Sequence, residues 1–492
     1  MSDKPGITVK KNENFSEWFT QVCSEQGANL ADIRYGVQGH IVHKPWAMRI
    51  LNKIYSMLEE DVENDYHEPV LFPTVIPKKN LMKEKEHAGF TPEVFWITEA
   101  GSKKMSEKVA LRPTGETAFY PMYSLWIRSY NDLPFKRYQS RITVFRNEMT
   151  TRPFLRGREF MFFETHDVFE THEEALEQTR KDMDTMNRIV RDKLKIPFKF
   201  FKRPQWDKFK GADDTYASDS LLPDGRRNQI SSTHDLGQRF AKAYGIKFKC
   251  RDGNVEHGWQ TCFGPGIWRI MASLIALHGD DNGLVLPLAV APVHVMIIPI
   301  TFAKKPELNE KVMAKCEEVK KSLSRKYSVK IDTTNNTPGY KFNQAELMGI
   351  PIRIEIGPKD VEKNNCVVVR RTARDKVVTG LSDVEDTLKE QIKLFESELL
   401  ERAHKHYNDK TRRVNSLSEA KKVLEEHRGF VVAPFCSLDM DGEEAAEILK
   451  HETKGGVVCG VPAGEEEDPA EDDKCIVTGK KAKHLVWIAK SI

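Results

Sequence analysis

The sequence predicts a protein of several domains that combines helices and β-sheets, with antiparallel strands in its first half and an α/β unit after them. The 492 residues are enough for roughly two to four domains. Two apolar segments, 142–145 and 160–163, flank a basic loop, which is typical of two antiparallel strands. From residue 293 onward, strand-like and helical patterns alternate, as in an α/β domain.

The composition is that of an ordinary globular protein, with 39% hydrophobic and 30% charged residues. No apolar run is long enough to cross a bilayer, and the first residues lack the apolar core of a secretory signal, so a cytoplasmic protein is expected. The eight cysteines are scattered singly, which favours reduced thiols. The net charge of +3 decides nothing about nucleic acids, because a local basic surface can bind them.

In the first half, a long helix is predicted over 45–64, where apolar residues recur at helical spacing. The next segment, 69–77, is rich in β-branched residues and interrupted by prolines, which predicts a strand at a sheet edge. A helix is expected over 172–195, and short strands with turns are expected from there to about residue 236.

Residues 285–292 form the predicted hinge between the two halves. After it we predict strands at 293–299, 328–332, 351–356 and 366–370, with helices at 306–326, near 342–348 and at 383–407. This alternation predicts a mostly parallel sheet. The last segment, 411–492, contains a predicted strand at 429–434 and an acidic, solvated loop at 465–473.

Two clusters of arginine and glycine are the best candidates for chemistry. The first is Phe145-Arg146-Asn147-Glu148 with the basic loop 150–158, and the second is Gly264-Pro265-Gly266-Ile267-Trp268-Arg269 at a helix start. Guanidinium groups bind carboxylates and phosphates in a fixed fork, and glycines let a backbone approach a ligand closely. Any one of these arginines alone could be a surface ion-pair partner, but together they predict an anion site. The sequence has no Walker A loop, so a bound nucleotide would be held differently.

These segments resemble motifs 2 and 3 of class II aminoacyl-tRNA synthetases, and Phe72-Pro73 resembles the proline of motif 1. The resemblance implies an α+β catalytic domain over 1–290, an antiparallel sheet with flanking helices, that uses ATP and Mg²⁺. It implies that Arg146 bridges the amino-acid carboxylate and the α-phosphate, that Arg269 pairs with the γ-phosphate, and that Gln229 lies near Mg²⁺. The implied ATP-binding residues are Arg146, Glu148, Leu155, Arg156, Phe160, Gln229, Ser232, Ile267 and Arg269.

Two further segments indicate the amino acid. Residues 112–116, Arg-Pro-Thr-Gly-Glu, resemble a signature of class IIa synthetases, and residues 229–238 resemble a stretch of the prolyl-tRNA synthetase family. That family implies an acceptor for the proline ammonium and an aromatic wall for its ring. The implied proline-binding residues are Thr114, Glu116, Arg146, Phe162, His166, His234 and Cys262. The sequence departs from the family at Phe162, commonly Trp, and at Ile230 and Ser231, where the family has glycines.

The resemblance extends over most of the chain. Residues 90–94 resemble the segment that lies over the prolyl site, which implies lid residues Phe90, Pro92, Glu93 and Val94. Residues 338–343, 349–360 and 368–371 resemble the anticodon-binding domain of the archaeal and eukaryotic type. The resemblance thus implies an α/β anticodon-binding domain over 291–408 and a small α/β C-terminal domain over 409–492. It also implies tRNA(Pro) and L-proline as partners, and a homodimer.

Zinc is not expected, although many members of the family bind it in the last domain through four cysteines. This sequence keeps Cys436 and Cys475 but has Asp441 and Val477 at the other two positions. Structural zinc sites almost always have four N or S ligands. Cys459 and a nearby histidine would have to act from new positions to complete such a site.

Two alternatives remain open at this stage. A threonyl enzyme of the same class would carry zinc ligands in its pocket, and that Cys and His set is not evident in the sequence. A non-catalytic relative that only binds tRNA or a protein partner would be expected to lose the arginine of motif 2 or motif 3. Arg146 and Arg269 are both present, which favours a catalytic protein.

Overall fold

The structure is a computed structural model that describes residues 6–82, 93–302, 305–373 and 375–492. The N-terminal part contains helices α1 (Phe15–Cys23), α2 (Pro45–Asn64), α3 (Glu116–Trp126), α4 (His172–Met186), α5 (Arg239–Tyr244) and α6 (Ile267–His278). Its strands are β1 (Ala31–Asp32), β2 (Val42–His43), β3 (Glu68–Pro69), β4 (Val75–Pro77), β5 (Trp96–Ala100), β6 (Lys103–Leu111), β7 (Phe135–Phe145), β8 (Glu159–Phe169), β9 (Phe198–Lys202), β10 (Asp214–Leu221), β11 (Arg227–Gly237), β12 (Lys247–Lys249), β13 (Val255–His257) and β14 (Trp259–Pro265).

The sheet that carries the candidate site has the strand order β9-β10-β11-β14-β8-β7 at its centre, and these neighbours are all antiparallel. The predicted strands around the basic loop are β7 and β8, which pair from Phe145 with Glu159 at the loop end. The antiparallel sheet predicted for the first domain is therefore present. The predicted strand over 69–77 is divided between β3 and β4, which belong to different sheets, and Pro73, which lacks an N–H donor, lies between them.

Helix α2 begins with Pro45 in its first turn, a position where proline costs no hydrogen bond. Its apolar stripe, from Ile50 through Ile54 to Val62, is buried as the helical spacing predicted. This stripe packs with α1 and α6 into the largest core cluster, on one face of the central sheet. The core thus fixes the helix that carries Arg269 against the strands that carry the other candidate residues.

A buried polar cluster lies where α4 packs on β8, β11 and β14. The Oδ2 of Asp182 accepts a hydrogen bond from the hydroxyl of Thr233 at 2.7 Å, and Nε2 of His67 lies 3.2 Å from Oδ2 of Asp167. Asp167 and Asp182 are both buried. Burial, and then the negative charge of Asp167, raise the pKa of Asp182 to about 7.

Asp182→Asn is expected to gain stability relative to the wild type as the pH rises from about 4 to about 7. The folded protein keeps a proton on Asp182 that the unfolded chain loses near its ordinary pKa of about 4, so this stability is lost as the pH rises to the folded value. Urea unfolding at pH 5, 6, 7 and 8 measures the difference. Asp184→Asn, an exposed change on the same helix, is the control, and a gap that does not vary with pH would contradict the assignment.

The middle part contains strands β15 (Val295–Pro299), β16 (Val329–Ile331), β17 (Ile352–Ile356), β18 (Asn365–Arg370) and β19 (Lys376–Gly380), and helices α7 (Pro306–Leu323), α8 (Pro338–Leu347), α9 (Pro358–Glu362) and α10 (Val384–Asp409). The strand order is β16-β15-β17-β18-β19. The predicted parallel pairing holds for β16, β15 and β17, whereas β18 and β19 are antiparallel. The connections into β18 and β19 are short, and a parallel crossover needs a dozen or more residues.

The C-terminal part contains strands β20 (Thr411–Arg413), β21 (Phe430–Phe435), β22 (Gly456–Pro462) and β23 (His484–Lys490), and helices α11 (Leu417–Lys422) and α12 (Glu443–Glu452). Its strands extend the central sheet, because β22 pairs with β9 through Val461 opposite Lys202 and Pro462 opposite Phe201. The last part of the chain therefore shares a sheet with the candidate site. Among the helices of the described residues, none has the length and apolar character needed to cross a membrane.

Candidate active site

Two adjoining cavities open on the central sheet, with volumes of about 190 Å³ and about 310 Å³. We call them the nucleotide cavity and the amino-acid cavity, because the first is lined by predicted ATP-binding residues and the second by predicted proline-binding residues. Five residues line both: Arg146, Phe162, Gln229, Ser232 and Gly264. A ligand that spans the two cavities would therefore pass Arg146 at the junction.

The nucleotide cavity contains most of the predicted ATP-binding residues. The lining includes Arg146, Glu148, Leu155, Arg156, Phe160, Gln229, Ser232 and Arg269. Ile267 is different, because its side chain is fully buried in the main core and is not part of the lining. Because Ile267 lies in the first turn of α6 and packs in the core, it fixes the position of the helix that carries Arg269.

The basic loop that closes this cavity is a tight turn. The backbone groups of Arg152 and Arg156 exchange hydrogen bonds of 2.7 and 2.9 Å. Phe154 is fully buried and packs edge-on against Trp268, with the ring centroids 5.8 Å apart. Nη1 of Arg156 lies 3.6 Å from Oε2 of Glu148. The buried Phe154 ring fixes the basic loop, so the charged side chains of the loop stay at the cavity.

The electrostatics of this cavity favour anions. Burial, and then the nearby positive charges of Arg146 and Arg156, lower the pKa of Arg269 to about 10. Nη1 of Arg269 donates to the backbone oxygen of Gln229 at 3.3 Å. Three arginines that face one small cavity repel one another, and a bound polyphosphate would relieve that repulsion.

The amino-acid cavity contains every predicted proline-binding residue: Thr114, Glu116, Arg146, Phe162, His166, His234 and Cys262. Glu116 is buried, and its carboxylate accepts hydrogen bonds from the hydroxyl of Thr114 and, at 3.8 Å, from the thiol of Cys262. Burial, and then Glu116, raise the pKa of the Cys262 thiol well above its ordinary value. The carboxylate of Glu116 is thus fixed in place and can accept a hydrogen bond from an ammonium group.

His166 is held rigidly under this cavity. Its Nδ1 lies 3.0 Å from the hydroxyl of Tyr120, and its Nε2 lies 3.0 Å from Oε2 of Glu164. Burial opposes protonation, but the hydrogen bond and charge of Glu164 raise the pKa of His166 above its ordinary value. Gln139 donates to the other oxygen of Glu164 at 2.6 Å. The network fixes the orientation of the imidazole in the cavity wall.

The pKa of His234 is shifted in the opposite direction to that of His166. Its Nδ1 lies 2.8 Å from the hydroxyl of Thr215, and its Nε2 lies 3.0 Å from the hydroxyl of Ser232. Burial, and then the charge of His166, lower the pKa of His234 to about 3. The Phe209 ring packs on it with the centroids 4.9 Å apart. A neutral imidazole lets this wall accept an apolar ring without adding charge.

The structure explains how the chain tolerates its departures from the family. β10 and β11 shift register at Ser218/Asp219, so Ile230 is the extra residue of a β-bulge and its side chain is buried. Ser231 and Ser218 share a hydrogen bond of 2.6 Å. Gly264 leaves room for Phe162, since a Cβ there would lie 3.1 Å from the tip of that ring.

The predicted lid falls only partly within the described residues. Phe90 and Pro92 lie outside them. Glu93 is exposed, and Val94 packs beside Ile76 and Ala110. Neither of these two side chains is part of the cavity linings, so their predicted role over the site stays a prediction.

Sequence reasoning did not find several residues that line the cavities. Trp268 lies in the nucleotide cavity, and Arg203, Phe209 and Thr215 lie in the amino-acid cavity. Trp268 was visible beside Arg269 in the second arginine motif. The other three come from the β9–β10 region, where nothing in the sequence distinguishes a cavity residue from an ordinary turn residue.

The metal-capable side chains form one group in the described part of the chain: Glu116, His166 and Cys262, whose donor atoms lie within 4.8 Å of one another. Both His166 nitrogens already have hydrogen-bond partners. In the C-terminal part, the carboxylate of Asp441 accepts from the hydroxyl of Ser437, and Val477 packs in an apolar cluster with Cys475. These C-terminal residues do not fit a zinc site with four ligands.

Comparison with known proteins gives matches along the chain. Residues 95–278 match the tRNA synthetase class II core domain (G, H, P, S and T), residues 294–391 match an anticodon binding domain, and residues 417–492 match the C-terminal domain of prolyl-tRNA synthetase. The chain is 49% identical over 491 residues to a proline–tRNA ligase of Thermofilum pendens, and the alignment covers 99% of each chain.

Solved structures match over nearly the full length. The fold is similar to a Giardia lamblia prolyl-tRNA synthetase in complex with prolyl-adenylate, with a TM-score of 0.94, 33% identity, and coverage of 99% of this chain and 100% of that one. It is also similar to a Cryptosporidium parvum prolyl-tRNA synthetase complexed with L-proline and AMP, with a TM-score of 0.91, 32% identity, and coverage of 99% and 97%. Identity of this extent, together with the cavities described above, shows that the chain belongs to the prolyl-tRNA synthetase family.

Proposed function

We infer that this chain is a proline–tRNA ligase: it converts L-proline and ATP into prolyl-adenylate and diphosphate and then transfers proline to the 3′ end of tRNA(Pro). The observation that carries this conclusion is the pair of adjoining cavities with Arg146 at their junction. A prolyl-adenylate has its amino-acid part joined to a nucleotide, so it would span such a pair. The similar Giardia lamblia protein contains that molecule.

The first step follows from the position of the arginines. A proline carboxylate oxygen attacks the α-phosphorus, the bond to the bridging oxygen of diphosphate breaks, and diphosphate leaves with its electron pair. Arg146 would bind both the carboxylate and the α-phosphate, and Arg269 would bind the γ-phosphate side of ATP. Fixed donors aimed at developing negative charge lower the barrier, and no side chain is needed as a nucleophile.

The amino-acid cavity supplies the selectivity. Glu116 would accept the secondary ammonium of proline, while Phe162 and the neutral His234 would form the wall around its ring. Thr114 keeps the Glu116 carboxylate in place through its hydroxyl. In the second step the terminal ribose hydroxyl of tRNA attacks the adenylate carbonyl and AMP leaves, and the domain matched over 294–391 would hold the anticodon.

Mg²⁺ fits this site by donor chemistry, since it prefers oxygen ligands and phosphates. The nucleotide cavity offers the carboxylate of Glu148, and Gln229, which is predicted from the resemblance to lie near Mg²⁺, is part of the same lining. Bound there with ATP, the ion would neutralise phosphate charge.

Protein synthesis requires this activity in the cytoplasm, which is where we place the protein.

The test is ATP–diphosphate exchange measured with each amino acid in turn. We expect the highest kcat/KM with proline and weak exchange with alanine at high concentration, because each missing methylene changes binding by only about 1–3 kcal/mol. No exchange with any amino acid would support the non-catalytic alternative. A preference for threonine would support the other alternative and contradict the role of the amino-acid cavity.

We also propose that the protein is a homodimer. β3 is the last of the described strands at its end of the large sheet, and two apolar residues beside it, Tyr66 and Leu71, are 86% and 80% exposed. Large exposed apolar side chains beside a sheet edge are typical of an interface.

Leu71→Glu is expected to convert the dimer into monomers, because a buried, unpaired charge opposes association. Light scattering after size-exclusion chromatography should give twice the chain mass of 56.5 kDa for the wild type and the single mass for the variant. Val378→Glu, at a position 62% exposed in the middle part, should remain dimeric. A monomeric wild type at micromolar concentration would contradict the proposal.

A further inference from the structure

Gln229 is held between two arginines. Its backbone oxygen accepts a hydrogen bond from Arg269 at 3.3 Å, and its side-chain Oε1 accepts one from Nη2 of Arg203 at 3.2 Å. A guanidinium group can only donate, so the oxygen of the Gln229 amide must face Arg203. This contact fixes which end of the amide is presented to the two cavities that Gln229 lines.

Arg203 is itself fixed. Its side chain is 2% exposed, and its two terminal nitrogens donate to the two oxygens of Asp219 at 2.9 and 2.8 Å. Asp219 lies directly opposite Gln229 in the β10–β11 register. Two hydrogen bonds to a buried carboxylate leave the planar guanidinium of Arg203 little rotational freedom. The Nη2 atom that donates to Gln229 is therefore held in one position.

The remaining partner of Arg203 comes from the C-terminal part of the chain. Nη1 of Arg203 donates to the backbone oxygen of Cys459 at 2.8 Å. β22 and β23 shift register between Val458 and Gly460, so Cys459 is the extra residue of a β-bulge. Gly460 has φ +115°, and a Cβ there would lie 1.9 Å from the backbone oxygen of Lys202. The bulge, which depends on glycine, aims the Cys459 carbonyl at Arg203.

We propose that Arg203 is a positioning residue for the nucleotide site: it sets the Gln229 amide, and a bulge of the C-terminal part holds it in place. The proposal rests on the ligase activity inferred above. Arg203 acts through Gln229. Hydrogen bonds link Cys459 to Arg203, Arg203 to Gln229, and Gln229 to Arg269, so the C-terminal strands help to hold the nucleotide site in position.

The test is a double-mutant cycle in the full-length chain, with the KM for ATP in proline-dependent exchange as the readout. Arg203→Lys keeps the positive charge opposite Asp219 but loses the two-pronged guanidinium geometry. We expect the KM for ATP to increase about tenfold, because one charge-assisted hydrogen bond is lost. In a Gln229→Ala background the same change should have little further effect, because the contact is already absent. A purely structural role would give the same factor in both backgrounds.

The control is Lys202→Met, which removes an ion pair of 2.8 Å with Asp214 between β9 and β10, and Lys202 lines neither of the two cavities. It should leave the KM for ATP unchanged. If Arg203→Lys does not fold, Asp219→Asn replaces it in the cycle. Asparagine has the same shape as aspartate, but the substitution weakens the two hydrogen bonds that hold the Arg203 guanidinium. Equal effects in both backgrounds, or no change in KM, would overturn the proposal. A wild type without proline-dependent exchange would instead contradict the ligase activity itself.

Discussion

Arg146→Ala is expected to lower the rate of proline-dependent ATP–diphosphate exchange by about a hundred- to a thousandfold, the usual cost of removing one preorganised donor from a transition state. Arg146 lines both cavities, so it is the side chain placed to contact the carboxylate and the α-phosphate together. The charge that develops between these two groups would lose its partner, and both kcat and kcat/KM should fall.

The same substitution should leave the fold intact. Arg146 is exposed at the end of β7, and its backbone N–H, which alanine keeps, donates to the Arg158 oxygen at 2.9 Å. Arg239→Ala, at an arginine 60% exposed in an ion pair with Asp213, is the matched control and should retain full activity. An Arg146→Ala enzyme within tenfold of the wild type would contradict its assigned role.

Glu116→Gln is the second change with a large expected effect. The substitution keeps the shape of the side chain but removes the negative charge that would pair with the proline ammonium. We expect the KM for proline to rise roughly 10- to 100-fold, because hydrogen bonds to charged groups contribute more than neutral ones. The KM for ATP should change little, since Glu116 lines only the amino-acid cavity.

This selective change distinguishes a binding role for Glu116 from a structural one. A disturbed fold would raise the KM for both substrates and lower the melting temperature. Glu256→Gln, at an exposed glutamate of β13, serves as the control of equal chemistry and should behave as the wild type. Equal increases of the two KM values would contradict the assignment of Glu116 to the ammonium.

The sequence predicted the helix over 45–64, the two strands around the basic loop, and many of the residues that line the two cavities, although it missed Trp268, Arg203, Phe209 and Thr215. Helices and strands of this kind are local, because their apolar spacing is written in neighbouring residues. Most site residues were found because they lie in short motifs that resemble those of the family, and only the arginines were also indicated by the chemistry of their charges. Ile267 was included with its motif, but it is its neighbour Arg269 that lines the cavity.

Only the tertiary structure decided which distant residues meet. The pairing of β22 with β9, the bulge at Cys459 and the hydrogen bond from Arg203 to Gln229 join parts of the chain that are far apart in sequence. No local pattern encodes such a meeting, because it depends on strand register and on the packing of whole elements. The sequence therefore determined the chemistry of the site, and the fold determined what holds that chemistry in position.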